Sequence, residues 1–424
     1  HLDETFFKDI MKFPKGHYAI YNIDDNTLQF SKWWENNFSG GFNGSYGTAV
    51  KKLRLLLKKS VDRHLISDVP VGTSLSGGID STSIASLIKG SRRAQIETFS
   101  ATFSGFHSDE SEYIDLVSEK VKITNHKVSL ESKDLVSDLS EFMEFNEEPV
   151  SSPSPFAQYK VFQLAKKKNI TVLLDGQGAD ELFAGYHYFY GFYLIGLIRK
   201  GRLFTVLKEI KELIKGGHYK LGLYSFIFLL LPHPLRKSYF ENRSNLSSEF
   251  INSKEHETGF FEKYYSCPSL HSALKFHLDY KLEHLLKWGD RNSMAHSREG
   301  RVPFLDPDLI KFVFSLPEKF ILSNGNTKLI LRDAMEGVIP DEISQRRDKI
   351  GFDTPENDWL RDSSIKQILN RILKNKPRCF RYINMIKTRK MIRNQLKGQN
   401  NNSREIWKII FLEEWMRLNK IISY

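Results

Sequence analysis

Two short runs of alternating apolar and polar residues in PKGHYAIYNIDDNTLQFSKWW (14–34) flank the polar turn Asp24-Asp25-Asn26, a pattern that predicts a β-hairpin. A lone hairpin is marginal in water, and the Gly/Asn/Ser-rich stretch that follows (38–47) reads as a linker. From Thr48 the period changes. AVKKLRLLLKKSVDRHL carries apolar residues at helical spacing, and beyond it strand-like runs at 69–75, 96–103, 126–130 and 170–174 alternate with helical ones at 81–89, 111–121 and 156–168. Repeated strand–helix alternation predicts βαβ units and an α/β fold with a parallel sheet covered by helices. After Glu181 the strand pattern stops and the C-terminal half reads as mostly helical.

Length and composition narrow the class. At 424 residues, 40% hydrophobic and 27% charged, the chain has room for two ordinary domains and is neither disordered nor fibrous. Two cysteines, Cys267 and Cys379, with no Cys-x-x-Cys, exclude a disulfide framework and a zinc knuckle and point to a reducing compartment. The longest charge-free runs, 182–198 and 221–234, are broken by glycines or ended by Pro232, short of the roughly 20 apolar residues of a span. The first ten residues carry no signal-peptide pattern. A cytoplasmic protein with no membrane partner is the expectation. The balance of 62 Lys+Arg against 51 Asp+Glu, a net +11, favours anionic partners without choosing among nucleotides, phosphates, nucleic acid and a membrane surface. The late basic stretches 374–381 and 387–397 read as solvated helix faces.

Candidate chemistry concentrates in VPVGTSLSGGIDSTSIASLIK (69–89). A strand ends at Leu75, the turn Ser76-Gly77-Gly78-Ile79-Asp80-Ser81 follows, and a helix starts at once. Paired glycines allow close backbone approach, and the helix N-terminus behind them offers unpaired N–H groups and a positive dipole end, so the geometry suits phosphate. Neither G-x-x-x-x-G-K-[ST] nor G-x-G-x-x-G is present. Taken alone the turn is also explained by Ser76 and Asp80 acting as caps. A second strand-to-glycine turn, VLLDGQGADELFAGY (172–186), places Asp180 and Glu181 at a helix start, where acids complement the dipole. At the carboxyl end of a parallel strand they also stand where α/β sheets bind ligands. Asp80 and Asp180 are therefore candidate magnesium ligands, since Mg²⁺ on phosphates is held by one or two carboxylates. Further on, LLKWGDRNSMAHSREGRVPFLD (285–306), TKLILRDAM (327–335) and RRDKIGFDTP (346–355) supply cations, among them Arg298, Arg301 and Lys349.

Ser-Gly-Gly-x-Asp-Ser resembles the pyrophosphate loop of the ATP pyrophosphatases. In series with DGQGADELFAGY, DRNSMAHS-x-E-x-RVPFLD and K-x-GF-x-x-P, it resembles the synthetase domain of the asparagine synthetase family over residues 48–424. TFFKDIMKFPKGHYAIY (5–21) resembles the end of that family's glutaminase domain, which makes 1–38 its remnant and 39–47 a linker. The resemblance implies a parallel sheet of the ATP-pyrophosphatase type with a mostly helical C-terminal half. It also implies a ligase that uses ATP and Mg²⁺ to activate a carboxylate as an acyl-adenylate and then transfers ammonia to it. On this resemblance Ser76, Gly77, Gly78 and Ser81 cradle the pyrophosphate, and Asp80 and Asp180 hold the metal. Leu75, Thr98 and Ser100 line the adenine site, and Lys349 stabilises charge on the α-phosphate. Gly176, Asp290, Arg298 and Glu299 border the substrate pocket.

Two departures stand out. The N-terminal cysteine nucleophile of such glutaminases is absent from the chain, so ammonia is expected from a glutaminase domain outside it or from solution. At Gln177 asparagine synthetases usually place a Glu that accepts a proton during ammonia attack, and the β-lactam-forming branch places a Tyr; glutamine is no base. Asp175 replaces the usual Ser and returns a carboxylate to that pocket wall. Aspartate is the leading substrate, with a uronic-acid sugar or a peptide side chain as the alternative. An RNA-modifying pyrophosphatase or an inactive scaffold are the readings from other classes; nucleic acid is not expected as a partner, and a homodimer is left open.

Overall fold

The computed structural model describes residues 3–35, 38, 41–91, 96–217, 219–253, 259–347, 353–374, 377–399 and 401–421. Its first element is an antiparallel hairpin of β1 (His17–Asn22) and β2 (Thr27–Lys32), in register His17 to Lys32, with both faces largely exposed. The hairpin and the residues before it touch the rest of the protein through few groups, such as the Lys12–Glu283 ion pair at 2.7 Å and Phe6 edge-on to Trp415. α1 (Tyr46–His64) follows, with Ser45 accepting from the Thr48 N–H at its start. It buries Ala49, Leu53, Leu57 and Val61, the predicted helical stripe.

The main sheet has five strands, β3 (Val71–Ser74), β4 (Glu97–Thr102), β5 (Thr124–Ser129), β6 (Val172–Leu174) and β7 (Glu299–Arg301), in the order β5-β4-β3-β6-β7 and all parallel. Helices α2 (Ile79–Lys89), α3 (Ser111–Val121), α4 (Ser132–Asn146) and α5 (Ser154–Lys167) make the crossovers and cover both faces. Along β6, Val172 and Leu174 join one buried cluster with Ile84 and Ile88, and Leu173 joins another with Phe99 and Phe162. A strand buried on both faces is the reason this stretch reads as a continuous apolar run. The expected parallel sheet and helical C-terminal half hold, with one correction: strands do not end at Glu181. Three residues of β7 extend the sheet beyond β6, in a stretch too short and polar to carry strand periodicity. Between β5 and β6 the chain also carries α4 ahead of α5, a helix absent from the strand–helix pattern above, whose capping box between Glu131 and Asp134 precedes apolar Leu135, Leu139, Phe142 and Met143.

Strand order places the site. From β3 the chain moves outward to β4 and β5, then returns to β6 on the other side of β3. The carboxyl ends of β3 and β6 flank this switch point, where open α/β sheets leave a crevice for ligands. In the helical half, the aromatic run 186–193 enters α7 after a short α6 (Ala179–Leu182), and α7 (Phe189–Arg199) buries Phe189, Tyr190, Phe192 and Tyr193 as core.

Candidate active site

β3 hands directly into the Ser76–Ser81 turn. The Leu75 N–H donates to the Phe99 carbonyl at 2.9 Å, continuing the sheet one residue past the strand. Gly77 then takes φ +74°, and a Cβ there would lie 2.7 Å from that of Tyr113, so both backbone conformation and space require glycine. The Ser81 hydroxyl accepts the Ser76 N–H at 3.1 Å and lies 3.2 Å from the Ser76 hydroxyl, holding the loop closed on itself. No side chain caps α2, so the N–H groups of its first turn face the crevice at the positive end of the helix. Arg346, one of the cations of 346–355, donates to the Gly77 carbonyl at 3.2 Å, pairs with Glu110 at 3.0 Å and lies 3.7 Å over the Tyr113 ring.

β6 hands into Asp175–Gly178 in the same way, and the two loops touch: a Cβ on Gly176 would stand 3.1 Å from that of Asp80. Their carboxylates converge on one cation. The Lys328 ammonium, 2% exposed, lies 2.5 Å from Asp80 Oδ2, 2.7 Å from Asp80 Oδ1 and 2.6 Å from Asp180 Oδ1. Lys328 reaches this point from a backbone at φ +54°, with its N–H donating to the Phe183 carbonyl at 3.2 Å. A non-glycine residue in that conformation costs on the order of 1 kcal/mol or more and persists where the surroundings impose it. Space for the pair comes from Gly185, where a Cβ would stand 1.8 Å from Asp180 Oδ1 and 2.4 Å from Lys328 Cε. Gly185→Ala is therefore expected to displace Asp180 and to destabilise the protein by about 1–3 kcal/mol, read as a lower thermal unfolding midpoint.

Other ionisable groups ring this centre. Burial, and next the neighbouring Asp180 charge, push the Glu181 carboxyl up, and it accepts from the Tyr186 hydroxyl at 2.8 Å. Burial also raises Asp175, against the hydrogen bonds it accepts from Gln158 Nε2 at 3.0 Å and from the backbone N–H groups of Gly176 and Gln177. Its own N–H donates to the Arg301 carbonyl at 2.7 Å, which fixes Asp175 at the carboxyl ends of β6 and β7.

The structure thus brings together Ser76, Gly77, Gly78, Asp80, Ser81, Asp175, Gly176, Gln177 and Asp180. Leu75 lines a small cleft at the carboxyl ends of β3 and β4 with Ser76, Ala101, Phe103, Asp109 and Glu110. Thr98 and Ser100 do not line it. They are fully buried on the other face of β4, where Asn125 donates to both hydroxyls and Ser100 donates to the Leu75 carbonyl. Ala101 and Phe103, one step out of phase, face the cleft instead.

Arg298 and Glu299 also stand apart from the crevice. Glu299 pairs with Val172 at the amino end of β6, opposite to the carboxyl ends that frame the site. Glu299 binds Arg301 at 2.7 Å, while Arg298 donates to the Ile170 carbonyl. Arg301 is likewise structural, donating to the His64 and Ile66 carbonyls. Asp290 is exposed on the helix Leu282–Ala295, one residue past Gly289, which faces the Gln158 that holds Asp175. Lys349 lies outside the described residues.

Two hard-oxygen carboxylates that meet at one point, beside a helix N-terminus, form a donor set suited to Mg²⁺ on a phosphate chain, with Lys328 as a cation already between them. Among the described residues there is no group of three or more His, Cys, Asp or Glu that could hold a metal ion.

The asparagine synthase family matches residues 52–417, and the chain belongs to that family. It is 28% identical over 425 residues to asparagine synthetase [glutamine-hydrolyzing] 1 of Bacillus subtilis, covering 93% of this chain and 63% of that protein. It is 29% identical over 361 residues to asparagine synthetase [glutamine-hydrolyzing] 3 of the same organism, covering 80% of this chain and 54% of that one. The chain therefore spans less than two thirds of the length of either relative. Among solved structures it is similar to an NH3-dependent NAD synthetase from Campylobacter jejuni at 17% identity, covering 33% of this chain and 61% of that chain, with a TM-score of 0.24, too low to bear on function.

Proposed function

We propose that this chain is the ATP-using half of an amide-forming ligase. A carboxylate oxygen of the substrate attacks the α-phosphorus of ATP and the bond to pyrophosphate breaks. The nitrogen of ammonia then attacks the acyl carbon of the adenylate, its carbon–oxygen bond to the phosphate breaks, and AMP leaves while a base takes a proton. The observation that carries this reading is the convergence of Asp80 and Asp180 at the switch point, beside the uncapped start of α2. Asp80 and Asp180 would hold Mg²⁺, which when bound offsets the charge of the phosphates. The N–H groups of the Ser76–Ser81 turn would bind the pyrophosphate oxygens as it leaves, and Lys328 adds positive charge within reach of the same oxygens.

Aspartate is the first substrate to test. The names of the relatives favour it, as they favour glutamine as the ammonia source. Gln177 and Asp175 favour the second reading, a uronic-acid sugar or a peptide side chain, because the proton acceptor has moved from one side chain of the pocket wall to another. Residues 1–38 are read as the end of a glutaminase domain, 39–47 as a linker and 48–424 as the synthetase domain; the exposed faces of the β1–β2 hairpin fit an element whose partners precede it in a longer protein.

ATP–pyrophosphate exchange tests the reading, because it needs only the first half-reaction. Exchange with Mg²⁺ that depends on aspartate and is lost in Asp80→Ala supports asparagine formation. Silence with aspartate but exchange with another acid supports the second reading. Silence with every carboxylate overturns both.

A further inference from the structure

The helices α8 (Leu203–Lys215), α9 (Tyr219–Leu230) and α10 (His233–Arg243) carry large apolar side chains on the outside of the protein. Phe204 is 91% exposed, Tyr224 70% and Leu207 65%, and Leu203, Ile214, Leu221, Ile227, Leu230 and Leu235 are all exposed. A patch of this kind on a protein surface marks a docking site.

Its geometry is that of a helix pair lying along a boundary. α8 turns Val206, Glu209 and Leu213 inward. At 3.6 residues per turn, Leu203, Leu207 and Ile214 then form one outer flank and Lys208, Lys211 and Lys215 the adjoining one, with Phe204 alongside the lysines. α9 faces the core through Gly222, where a Cβ would lie 3.0 Å from Leu213 Cδ2 and 3.1 Å from the Tyr190 Cβ, and through Ser225 and Phe226, which press on Gly191. Lys220, Tyr224 and Ile227 therefore fall on its outward side. At 13 and 12 residues, neither α8 nor α9 is long enough to cross a bilayer.

Charge selects the occupant. Residues 199–243 hold ten Lys and Arg against three Glu, a net +7 in one short segment. Some of that charge is engaged: Lys200 pairs with Glu318, Lys215 with Glu212, and Arg236 donates to the Tyr265 carbonyl. The basic helix Met385–Leu396 differs in exposing a single large apolar side chain, Ile386, with Met391 and Ile392 buried. Two copies of this chain meeting here would bring like charge against like charge. A nucleic acid would leave the leucines and isoleucines uncovered. Apolar side chains flanked by lysines, on helices too short to span, suit the headgroup and upper acyl region of an anionic bilayer.

We propose that α8–α10 dock the protein on an anionic phospholipid surface, with Phe204, Leu207, Tyr224 and Ile227 entering the interface and Lys208, Lys211 and Lys215 facing the headgroups. This reverses the expectation of no membrane partner and is independent of the reaction proposed above. Co-sedimentation of the full chain with phosphatidylcholine vesicles and with vesicles that also contain phosphatidylglycerol tests it.

The expected result is binding to the anionic vesicles alone, weakened by added salt. Lys208→Glu/Lys211→Glu/Lys215→Glu lowers the partition coefficient on the order of a hundredfold, taking about 1 kcal/mol per lysine at the surface. Phe204→Ser/Ile227→Ser lowers it by at least about tenfold. Both variants are made at exposed positions and should keep the wild-type unfolding midpoint, which serves as the control for folding. Absence of binding, equal binding to both vesicle types, or a solution dimer that Phe204→Ser/Ile227→Ser abolishes would each overturn the proposal, the last in favour of a second copy.

Discussion

Lys328→Met is expected to remove ATP–pyrophosphate exchange and to cost roughly 3–5 kcal/mol of stability in metal-free buffer, with part of that loss recovered when Mg²⁺ is added. Lys328 is 2% exposed, and its ammonium lies within 2.7 Å of Asp80 and Asp180. Methionine fills similar space without charge, which leaves two carboxylates facing each other with no cation between them. Removing one member of such a centre is far costlier than replacing the whole of it, because the remaining charges stay desolvated. A divalent ion on Asp80 and Asp180 would supply the missing charge, so the unfolding midpoint of Lys328→Met should rise with Mg²⁺ more steeply than that of the wild type. The wild type gains less because its centre already holds a cation. An equal response of the two proteins to Mg²⁺, measured by thermal unfolding, would show that the carboxylates are a structural ion triad and not a metal site.

That lysine marks the limit of what the sequence makes legible. The two loops were readable because each is local: a strand, a glycine turn and an acid at a helix start occupy fewer than fifteen residues, and the elements that position them repeat the βαβ pattern. Lys328 lies 248 residues from Asp80. Nothing in TKLILRDAM distinguishes it from a solvated lysine until the fold carries it to the switch point, although Gly185, five residues past Asp180, is the space its side chain requires. Arg346 escaped for the same reason, since its partners Gly77 and Glu110 are equally remote in sequence. Thr98 and Ser100 show the opposite error. The resemblance assigns them to the adenine site, whereas a strand offers two faces, and register with β5 turns their hydroxyls to Asn125. Arg298 and Glu299 fail because β7 was not visible as a strand, so the end of the sheet on which they stand was not visible either.

The second large effect is expected at Asp175. Asp175→Asn should leave ATP–pyrophosphate exchange within about threefold of wild type while lowering amide formation by 10²- to 10⁴-fold, the range of a removed general base. Gln177, two residues on, accepts no proton, whereas Asp175 stands at the carboxyl end of β6 with its pKa raised by burial. A raised pKa makes a carboxylate a better proton acceptor from an attacking amine. It also sets the direction of the pH dependence: the competent form is the ionised one, so amide formation falls as pH drops through the raised value, while exchange does not follow it. Asparagine at 175 keeps the shape and an acceptor for the Gly176 and Gln177 N–H groups but sets an amide against the Gln158 Nε2 donor. Gln177→Glu separates the two effects. Placed in the Asp175→Asn background, it returns a carboxylate two residues away, and recovery of amide formation with its acid limb identifies the lost function as proton acceptance. Loss of exchange in Asp175→Asn, unrelieved by Gln177→Glu, would instead assign Asp175 to holding the β6–β7 end of the sheet through its N–H bond to Arg301.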